Sequence, residues 1–175
     1  MGKVRICPPV KLICGLIFRE DEVLNKARTL LVRRFGKTDY ESETLAFIYT
    51  DYYAKEFGTD LRRKFISFAR LIDPAGLYRI KLFSNKIEER LSRASFRLIN
   101  IDPGYLDLSK LVLASTKDYS HRIYLNKGIF AEITLSFQDK SFRPLEWTYP
   151  DYRTAEYISI FNHLRDIYSG QVKHK

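Results

Sequence analysis

A cluster of acidic, basic and phenolic side chains at Lys117–Arg122 contains the residue best suited to proton transfer. An imidazole titrates near neutral pH, so His121 is the candidate general acid or base. Such a ring needs a second group to orient it, and Asp102, Asp118 or Glu132 could do so. The predicted catalytic set is His121, Glu132 and Asp118. The simpler alternative is a surface or capping histidine.

Basic and phenolic side chains around this cluster suit an anionic ligand. The planar fork of arginine and the point charge of lysine both bind phosphate and carboxylate groups. The candidate ligand-binding residues are Asp102, Tyr105, Lys117, Arg122, Tyr124, Tyr149, Asp151 and Arg153. A solvated basic rim, with Arg122 and Glu132 as a cross-strand ion pair, is the simpler explanation.

The dipeptide Asp-Tyr recurs more often than chance predicts. It occurs at Asp39, Asp51, Asp118 and Asp151. Turns favour this pair, because the aspartate bonds the backbone while the tyrosine covers the core. The functional alternative is that loops from different strands bring a carboxylate and a phenol to one rim.

Known motifs for nucleotides and metals are missing. The chain has neither a Gly-x4-Gly-Lys-Ser/Thr loop nor a Gly-x-Gly-x-x-Gly stretch. Thr116-Lys117-Asp118 is not the guanine-reading motif of GTPases, because its aspartate comes one residue early. Asp102, His121 and Glu132 match no metal-ligand spacing. We therefore predict no metal site and identify no cofactor.

The formal charge of +9, from 30 Lys and Arg against 21 acids, favours phosphate-bearing or acidic partners. Four basic residues recur at helical spacing: Lys86, Arg90, Arg93 and Arg97. Ferredoxin-like RNA binders stack bases on exposed aromatics of the sheet, for which Phe47, Tyr49 or Phe65 are candidates. Because their sequence motif is missing, a non-catalytic RNA-associated module is only the alternative function. A structural or assembly protein is the third, and the oligomeric state stays open.

The length of 175 residues suits a single domain, with flexible tails predicted at 1–8 and 171–175. The longest apolar run, Leu12–Phe18, is far shorter than the roughly 20 residues that span a bilayer. No secretory signal is recognisable at the start. Cys7 and Cys14 are expected to be reduced thiols. These features predict a cytoplasmic protein without a membrane segment.

The first half is predicted to alternate strands and helices. The expected elements are strand Val10–Phe18, helix Asp21–Phe35, strands Glu43–Asp51 and Lys64–Ile72, a helix from Asp73 to about Leu91, and strand Phe96–Ile101. This order is typical of the split βαβ or ferredoxin-like arrangement. For 77–82 a strand is the alternative, with Asn85 and Glu88 capping a shorter helix.

The second half is predicted to add strands and a closing helix. The expected elements are a turn at Asp102–Tyr105, strand Leu111–Ala114, a hairpin of Arg122–Leu125 and Ile129–Leu135 around a three-residue loop, edge strand Phe142–Trp147, and helix Thr154–Tyr168 ended by Gly170. In that hairpin Leu125 faces Ile129 and Arg122 faces Glu132.

This hairpin register predicts two unlike faces. The expected apolar face carries Ile123, Leu125, Ile129, Ala131, Ile133 and Leu135, and the polar face carries Arg122, Tyr124, Phe130 and Glu132. Five extended residues span about 17 Å, so the turns at Asp102–Tyr105 and Lys117–Arg122 are expected at opposite ends of one strand. The site is expected at the His121 end.

Six segments together resemble a prokaryotic family catalogued as domain of unknown function 4416. They are PVKL (Pro9–Leu12), YTDYYAKEFG (Tyr49–Gly58), NIDPGYL (Asn100–Leu106), KLVLASTKDYSHRIYL (Lys110–Leu125), IFAEITL (Ile129–Leu135) and WTYPDYR (Trp147–Arg153). The resemblance covers nearly the whole chain. It implies a small cytoplasmic prokaryotic protein with no established activity, so it assigns no catalytic residue.

The sequence thus predicts an α+β fold whose ferredoxin-like first half is extended by a C-terminal β-hairpin and a closing helix. The predicted function is binding or processing of an anionic small molecule, phosphorylated or nucleotide-like.

Overall fold

The computed structural model describes residues 2–48, 60–94 and 96–173. Within these residues an α+β fold combines one large antiparallel sheet with three α-helices. The strands are β1 (Lys11–Phe18), β2 (Thr38–Glu41), β3 (Leu45–Ala46), β4 (Arg62–Phe68), β5 (Ile99–Leu106), β6 (Lys110–Ser115), β7 (Ile123–Asn126), β8 (Ile129–Gln138) and β9 (Ser141–Pro144). The helices are α1 (Asp21–Phe35), α2 (Leu77–Arg90) and α3 (Ala155–Lys173).

The strand order is β2-β4-β1-β5-β6-β8-β7, with β3 beside β4 and β9 beside β8. All eight residues of β1 are buried, which explains its unbroken apolar run. Helices α1 and α2 pack on the face that carries Leu12 and Leu16. Helix α3 packs on the other face, against Ile13 and Phe65. The sheet is therefore covered on both sides.

Both helices predicted in the first half are confirmed. Helix α1 has the predicted bounds and buries Leu24, Ala27 and Leu31. Before α2, the Asp73 carboxylate accepts a hydrogen bond of 2.9 Å from the backbone N–H of Ala75, as an N-cap does. The helix then spans 77–82, so the alternative strand there is wrong.

The strands next to α1 differ from prediction. The polar strand β2 was not predicted, since an edge strand that carries acids has no apolar pattern. The predicted strand Glu43–Asp51 contains only the two-residue β3, and its end lies outside the described residues. Strand β4 begins at Arg62 and ends at Phe68, earlier than predicted.

The predicted turn at Asp102–Tyr105 is wrong, because β5 continues through it to Leu106. Strand β1 pairs with every residue of β5, and this pairing overrides the local turn preference of Asp-Pro-Gly. The chain turns instead at Asp107, whose carboxylate accepts hydrogen bonds from the backbone N–H groups of Ser109 and Lys110. Asp102 therefore lies near the end of β6 that leads to Lys117, not at its opposite end.

The hairpin turn has two residues rather than three. Lys127 and Gly128 both have positive φ, 49° and 75°, as a type I′ turn requires. Asn126 pairs with Ile129, and a bulge falls at Leu125. Beyond the bulge the register is the predicted one, with Ile123 opposite Ala131, and it continues toward Arg122 and Glu132.

The predicted faces of the hairpin are confirmed only in part, since Leu125, Ile129 and Ala131 pack in one cluster beneath α2 as expected. Ile123 is 69% exposed, whereas Glu132 and Thr134 are buried. The cluster beneath α2 includes Ile129 but neither Ile123 nor Ile133. Glu132 lies opposite Leu113, which packs on the α3 side of the sheet. Tertiary packing therefore covers the face that the alternation marked as polar.

The last elements also shift. Strand β9 is shorter than the predicted Phe142–Trp147. Helix α3 passes through Gly170, so residues 171–173 extend a helix where a flexible tail was predicted. Gln171 is held in place because its side chain donates to the carbonyl of Ala69 and accepts from Lys11 Nζ.

Candidate functional site

A cleft opens where β5 and β6 diverge. The two strands pair only through Gly104–Leu106 and Leu111–Leu113, although β5 begins at Ile99 and β6 continues to Ser115. Pro103, which has no N–H to donate, stands where the pairing stops. The resulting cavity of about 720 Å³ lies within the range of small-molecule sites.

Helix α2 closes the unpaired edge of β5. The backbone N–H of Ile101 donates to Glu88 Oε1 over 2.6 Å, and the carbonyl of Ile101 accepts from Lys81 Nζ over 2.9 Å. A buried sheet edge would otherwise leave these groups unsatisfied. Burial raises the pKa of Glu88 above its ordinary value, although Lys81 opposes the shift. The same contacts bring both side chains to the cleft.

Arg63 of β4 forms the floor of the cleft. Its fully buried guanidinium lies 3.3 Å from Asp102 Oδ2 and 3.4 Å from Asp151 Oδ2, and it donates to the Tyr152 hydroxyl over 2.9 Å. Gly15 of β1 makes room for it, since a Cβ there would lie 3.3 Å from Arg63 Cζ. Four parts of the chain thus meet around one charge.

The electrostatics of the floor keep this arginine charged. Burial by itself would lower the pKa of Arg63, but interaction with Tyr152, Asp102 and Asp151 raises it above the ordinary value. Burial also raises the pKa of Asp151, against the opposing effect of Arg63. Asp151 therefore holds a proton more tightly than a solvated aspartate does.

The loop after β6 forms the opposite wall, and Arg122 holds it together. Its Nε donates to Glu132 Oε2 over 2.8 Å, one terminal nitrogen donates to Ser115 Oγ and the Lys117 carbonyl, and the other donates to the Tyr149 hydroxyl. Burial would lower the pKa of Arg122, but the hydrogen bonds to Tyr149 and Glu132 raise it.

His121 lies behind Arg122 and does not line the cleft. Its Nε2 is 3.1 Å from Glu132 Oε2, and its ring stacks on Trp147 with 5.2 Å between centroids. Glu132 is likewise not a lining residue, and Asp118 is exposed outside the cleft. The structure therefore joins His121 to Glu132 but places all three predicted catalytic residues away from the cavity.

The cleft collects five of the eight predicted ligand-binding residues. These are Asp102, Lys117, Arg122, Tyr149 and Asp151. Tyr105 instead packs in the cluster beneath α2. Tyr124 is exposed and contacts Phe130 edge-on. Arg153 donates to backbone carbonyls between Leu145 and Thr148, which is a structural role.

Several cleft residues were missed from the sequence. In α2, Lys81 and Glu88 follow Leu77 at spacings of four and eleven, and both are buried. Polar residues on the inward face of an amphipathic helix were the available signal. The sequence signal for Arg63 was weaker, because Arg63 is one of several adjacent basic residues just before the predicted strand Lys64–Ile72.

Two of the repeated Asp-Tyr pairs meet at the cleft. Tyr119 lines it, and so do both members of Asp151-Tyr152. Asp39 lies elsewhere and binds the buried Lys11 over 2.5 Å. Asp51 falls outside the described residues.

Base stacking on the sheet does not fit the described part of the chain. Phe65 is fully buried and Phe47 nearly so, while Tyr49 lies outside that part. Of the basic series, Lys86, Arg90 and Arg93 are exposed, and Arg97 pairs with Glu88.

The described residues contain neither a metal-binding cluster nor a membrane-spanning helix. In 2–48, 60–94 and 96–173 no three His, Cys, Asp or Glu side chains are grouped so that they could hold a metal ion. No helix in these ranges is long and apolar enough to cross a membrane.

Comparison with known proteins gives one match. No curated protein and no solved structure matches the chain. A family model described as Domain of unknown function (DUF4416) matches residues 8–168, which include every residue that lines the cleft. Because this match covers nearly the whole chain, the protein belongs to the DUF4416 family.

Proposed function

We propose that the cleft between β5 and β6 binds an anionic small molecule. One observation carries the proposal: the wall after β6 is lined by Lys117, Arg122 and Tyr119, with Tyr149 beside them. None of the described residues that line this wall is a carboxylate. Ammonium, guanidinium and phenol groups all donate hydrogen bonds, which suits a phosphate or carboxylate.

The residues of the site divide into two groups. Lys117, Tyr119 and Tyr149 are proposed to contact the anion. Arg122 contributes positive charge from behind them, since its side chain is only 2% exposed and its N–H groups bind Glu132, Ser115, the Lys117 carbonyl and Tyr149. Glu132 accepts a hydrogen bond from Arg122, and His121 contacts Glu132 in turn, so their proposed role is positioning. Binding is better supported than catalysis, because the imidazole predicted to transfer protons is engaged with Glu132 outside the cavity.

Substitution of one lysine tests the site. Ethyl phosphate is titrated into the isotope-labelled protein, and its affinity is measured from NMR shift changes. Lys117→Ala should weaken binding about tenfold or more, since a hydrogen bond to a charged group is worth about 1.5–3 kcal/mol. The matched control is Lys86→Ala on the exposed side of α2, which should change affinity less than about twofold. Equal affinities of the two variants, or no binding by the unmodified protein, would refute the proposal.

We also infer that β1, β2, β4 and β5, together with α1 and α2, form a ferredoxin-like unit. The inference is supported by the antiparallel order β2-β4-β1-β5 and by the packing of α1 and α2 on one face. Helix α3 covers the other face, which ferredoxin-like RNA binders leave open. An experimental structure in which β1 and β5 were not neighbours would contradict it.

A further inference from the structure

The two walls of the cleft carry opposite net charges. On the side of α2 and β5 the charged lining residues are Lys81, Arg97, Glu88, Glu89 and Asp102, two cations against three carboxylates, or a net charge of −1. On the side of the loop after β6 they are Lys117 and Arg122, and the buried Glu132 in contact with Arg122 reduces the net charge of this wall to +1. A ligand that fits both walls needs an anion at one end and uncharged or cationic donors at the other.

The acidic wall holds a donor and an acceptor side by side, so that one hydroxyl group of a ligand can contact both. Lys81 Nζ lies 3.8 Å from Asp102 Oδ1, which is too far for a direct hydrogen bond. Lys81 is held by the carbonyl of Ile101, which accepts one of the three ammonium protons. The other oxygen of Asp102 accepts from the Asn100 amide over 2.8 Å and lies near Arg63. Donor and acceptor are therefore both held in place, close enough that one oxygen atom in the cleft can lie beside them at about 2.8 Å from each.

A hydroxyl group suits this pair because it accepts and donates at the same time. It can accept a hydrogen bond from the Lys81 ammonium and donate one to the Asp102 carboxylate. A second carboxylate would be repelled by Asp102, and an apolar group would offer no hydrogen bond to the Lys81 ammonium or to Asp102 Oδ1. Asp102 is 26% exposed by its side chain, so a ligand in the cleft has access to it.

We propose that the ligand is a phosphorylated polyhydroxyl compound. One hydroxyl contacts both Lys81 and Asp102, and the phosphate binds Lys117 on the opposite wall, near the positive charge of Arg122. A phosphate suits that wall because its three oxygens accept from several donors at once. The inference rests on the proposed function and adds the chemical class of the ligand. Free sugar phosphates and nucleotides both carry this chemistry.

A series of three ligands tests the inference on the unmodified protein by titration calorimetry. Ribose 5-phosphate should bind at least about tenfold tighter than ethyl phosphate, because only the sugar supplies hydroxyls to a charged pair. If adenosine monophosphate binds more tightly than ribose 5-phosphate, the natural ligand is a nucleotide. If ribose 5-phosphate binds more tightly, the natural ligand is a sugar phosphate. Ethyl phosphate binding as tightly as ribose 5-phosphate would overturn this inference alone. If none of the three binds, the proposed function fails as well.

The variant Asp102→Asn tests the role of the carboxylate. The measured quantity is the ratio of the affinities for ribose 5-phosphate and ethyl phosphate, which cancels any general effect of the lost charge on anion binding. It should fall about fivefold or more, since an amide accepts a weaker hydrogen bond than a carboxylate. The matched control Asp139→Asn, in the exposed turn between β8 and β9, should keep the ratio of the unmodified protein.

An unchanged ratio in folded Asp102→Asn protein would overturn the assignment of the hydroxyl to Asp102. Circular dichroism establishes that the variant is folded. If the substitution prevents folding, the ligand series on the unmodified protein decides the inference by itself.

Discussion

At the scale of the residue, Arg63 is the charge on which the floor of the cleft depends. Its guanidinium is out of contact with water and neighbours Asp102, Asp151 and the Tyr152 hydroxyl. Buried charges persist only when partners replace the lost hydration. Removing the arginine would leave the Asp151 carboxylate buried without its counter-charge, at a cost larger than the net value of the pair.

Replacement of Arg63 is therefore expected to destabilise the fold strongly. Arg63→Met should lower the free energy of unfolding by about 3–5 kcal/mol, as is usual when one partner of a buried ion pair is removed. Urea denaturation measures the change. The neighbouring Arg62 pairs with the well-exposed Asp21, so Arg62→Met should cost about 1 kcal/mol or less. Similar losses in the two variants would show that the buried cluster contributes little.

The contribution of Glu88 to the free energy of unfolding depends on pH. Burial raises the pKa of Glu88 in the folded state, so the folded protein binds the proton more tightly than the unfolded chain. Its stabilising contribution is thus fully present below the ordinary glutamate pKa. It is lost as the pH rises through the raised value.

The variant Glu88→Gln should show this dependence directly. The stability of the unmodified protein relative to the variant should be greatest at acidic pH and decline toward neutrality. The difference in unfolding free energy between the two proteins should change by no more than about 1.4 kcal/mol per pH unit, which is the value for the uptake of one proton. Denaturant unfolding across this pH range gives both curves. A difference that grew with pH would mean that the hydrogen bond from Ile101 and the ion pair with Arg97 outweigh burial.

At the scale of the element, β5 is the strand that creates the cleft. It is paired with β1 along its whole length, but it pairs with β6 only from Gly104 to Leu106. At Gly104 the two strands approach so closely that a Cβ would lie 2.3 Å from the carbonyl oxygen of Val112. The two strands are therefore in tight contact at Gly104 and separate immediately before it, where the cleft begins.

Two glycine substitutions with opposite expected signs test this geometry. Gly104→Ala should destabilise the protein by about 1–3 kcal/mol or more, because β5 and β6 must separate to admit the methyl group. Gly170→Ala in α3 meets no atom within 4 Å and should stabilise the helix by up to about 1 kcal/mol. Thermal unfolding of both variants measures the effects. A neutral Gly104→Ala would show that the strands are not in tight contact there.

At the scale of the whole molecule, one sheet runs through both halves of the chain. Strand β1 from the start and β8 from the second half belong to the same sheet, and α3 packs on residues from both, such as Phe65 and Leu135. Trp147, the single tryptophan, donates to the carbonyl of Ile133 near the far end of the sheet. A shared core predicts that the halves do not unfold separately.

The chain is expected to unfold as one cooperative unit. Tryptophan fluorescence reports the region of Trp147, and far-ultraviolet circular dichroism reports the helices on both faces. The two transitions should have the same urea midpoint, as two-state unfolding requires. Separate midpoints would indicate two domains and contradict the single domain predicted from chain length.

The amino-acid sequence alone predicted those helices and strands whose pattern lies within their own residues. Helix α1 has the predicted bounds, because acids open it, apolar residues recur at helical spacing and Gly36 follows it. Strand β1 is an apolar run that only a doubly covered strand explains. The cluster at Lys117–Arg122 was also identifiable, since polar side chains of complementary type are adjacent in the chain.

Tertiary structure alone decided where the cleft lies and what lines it. Asp102–Gly104 has the composition of a turn, yet pairing with β1 makes it strand, and this places Asp102 near Lys117. Lys81 reaches the cleft because β6 diverges from β5 and leaves the carbonyl of Ile101 to be satisfied. Strand pairing and burial depend on residues far apart in sequence, so no local pattern contains them.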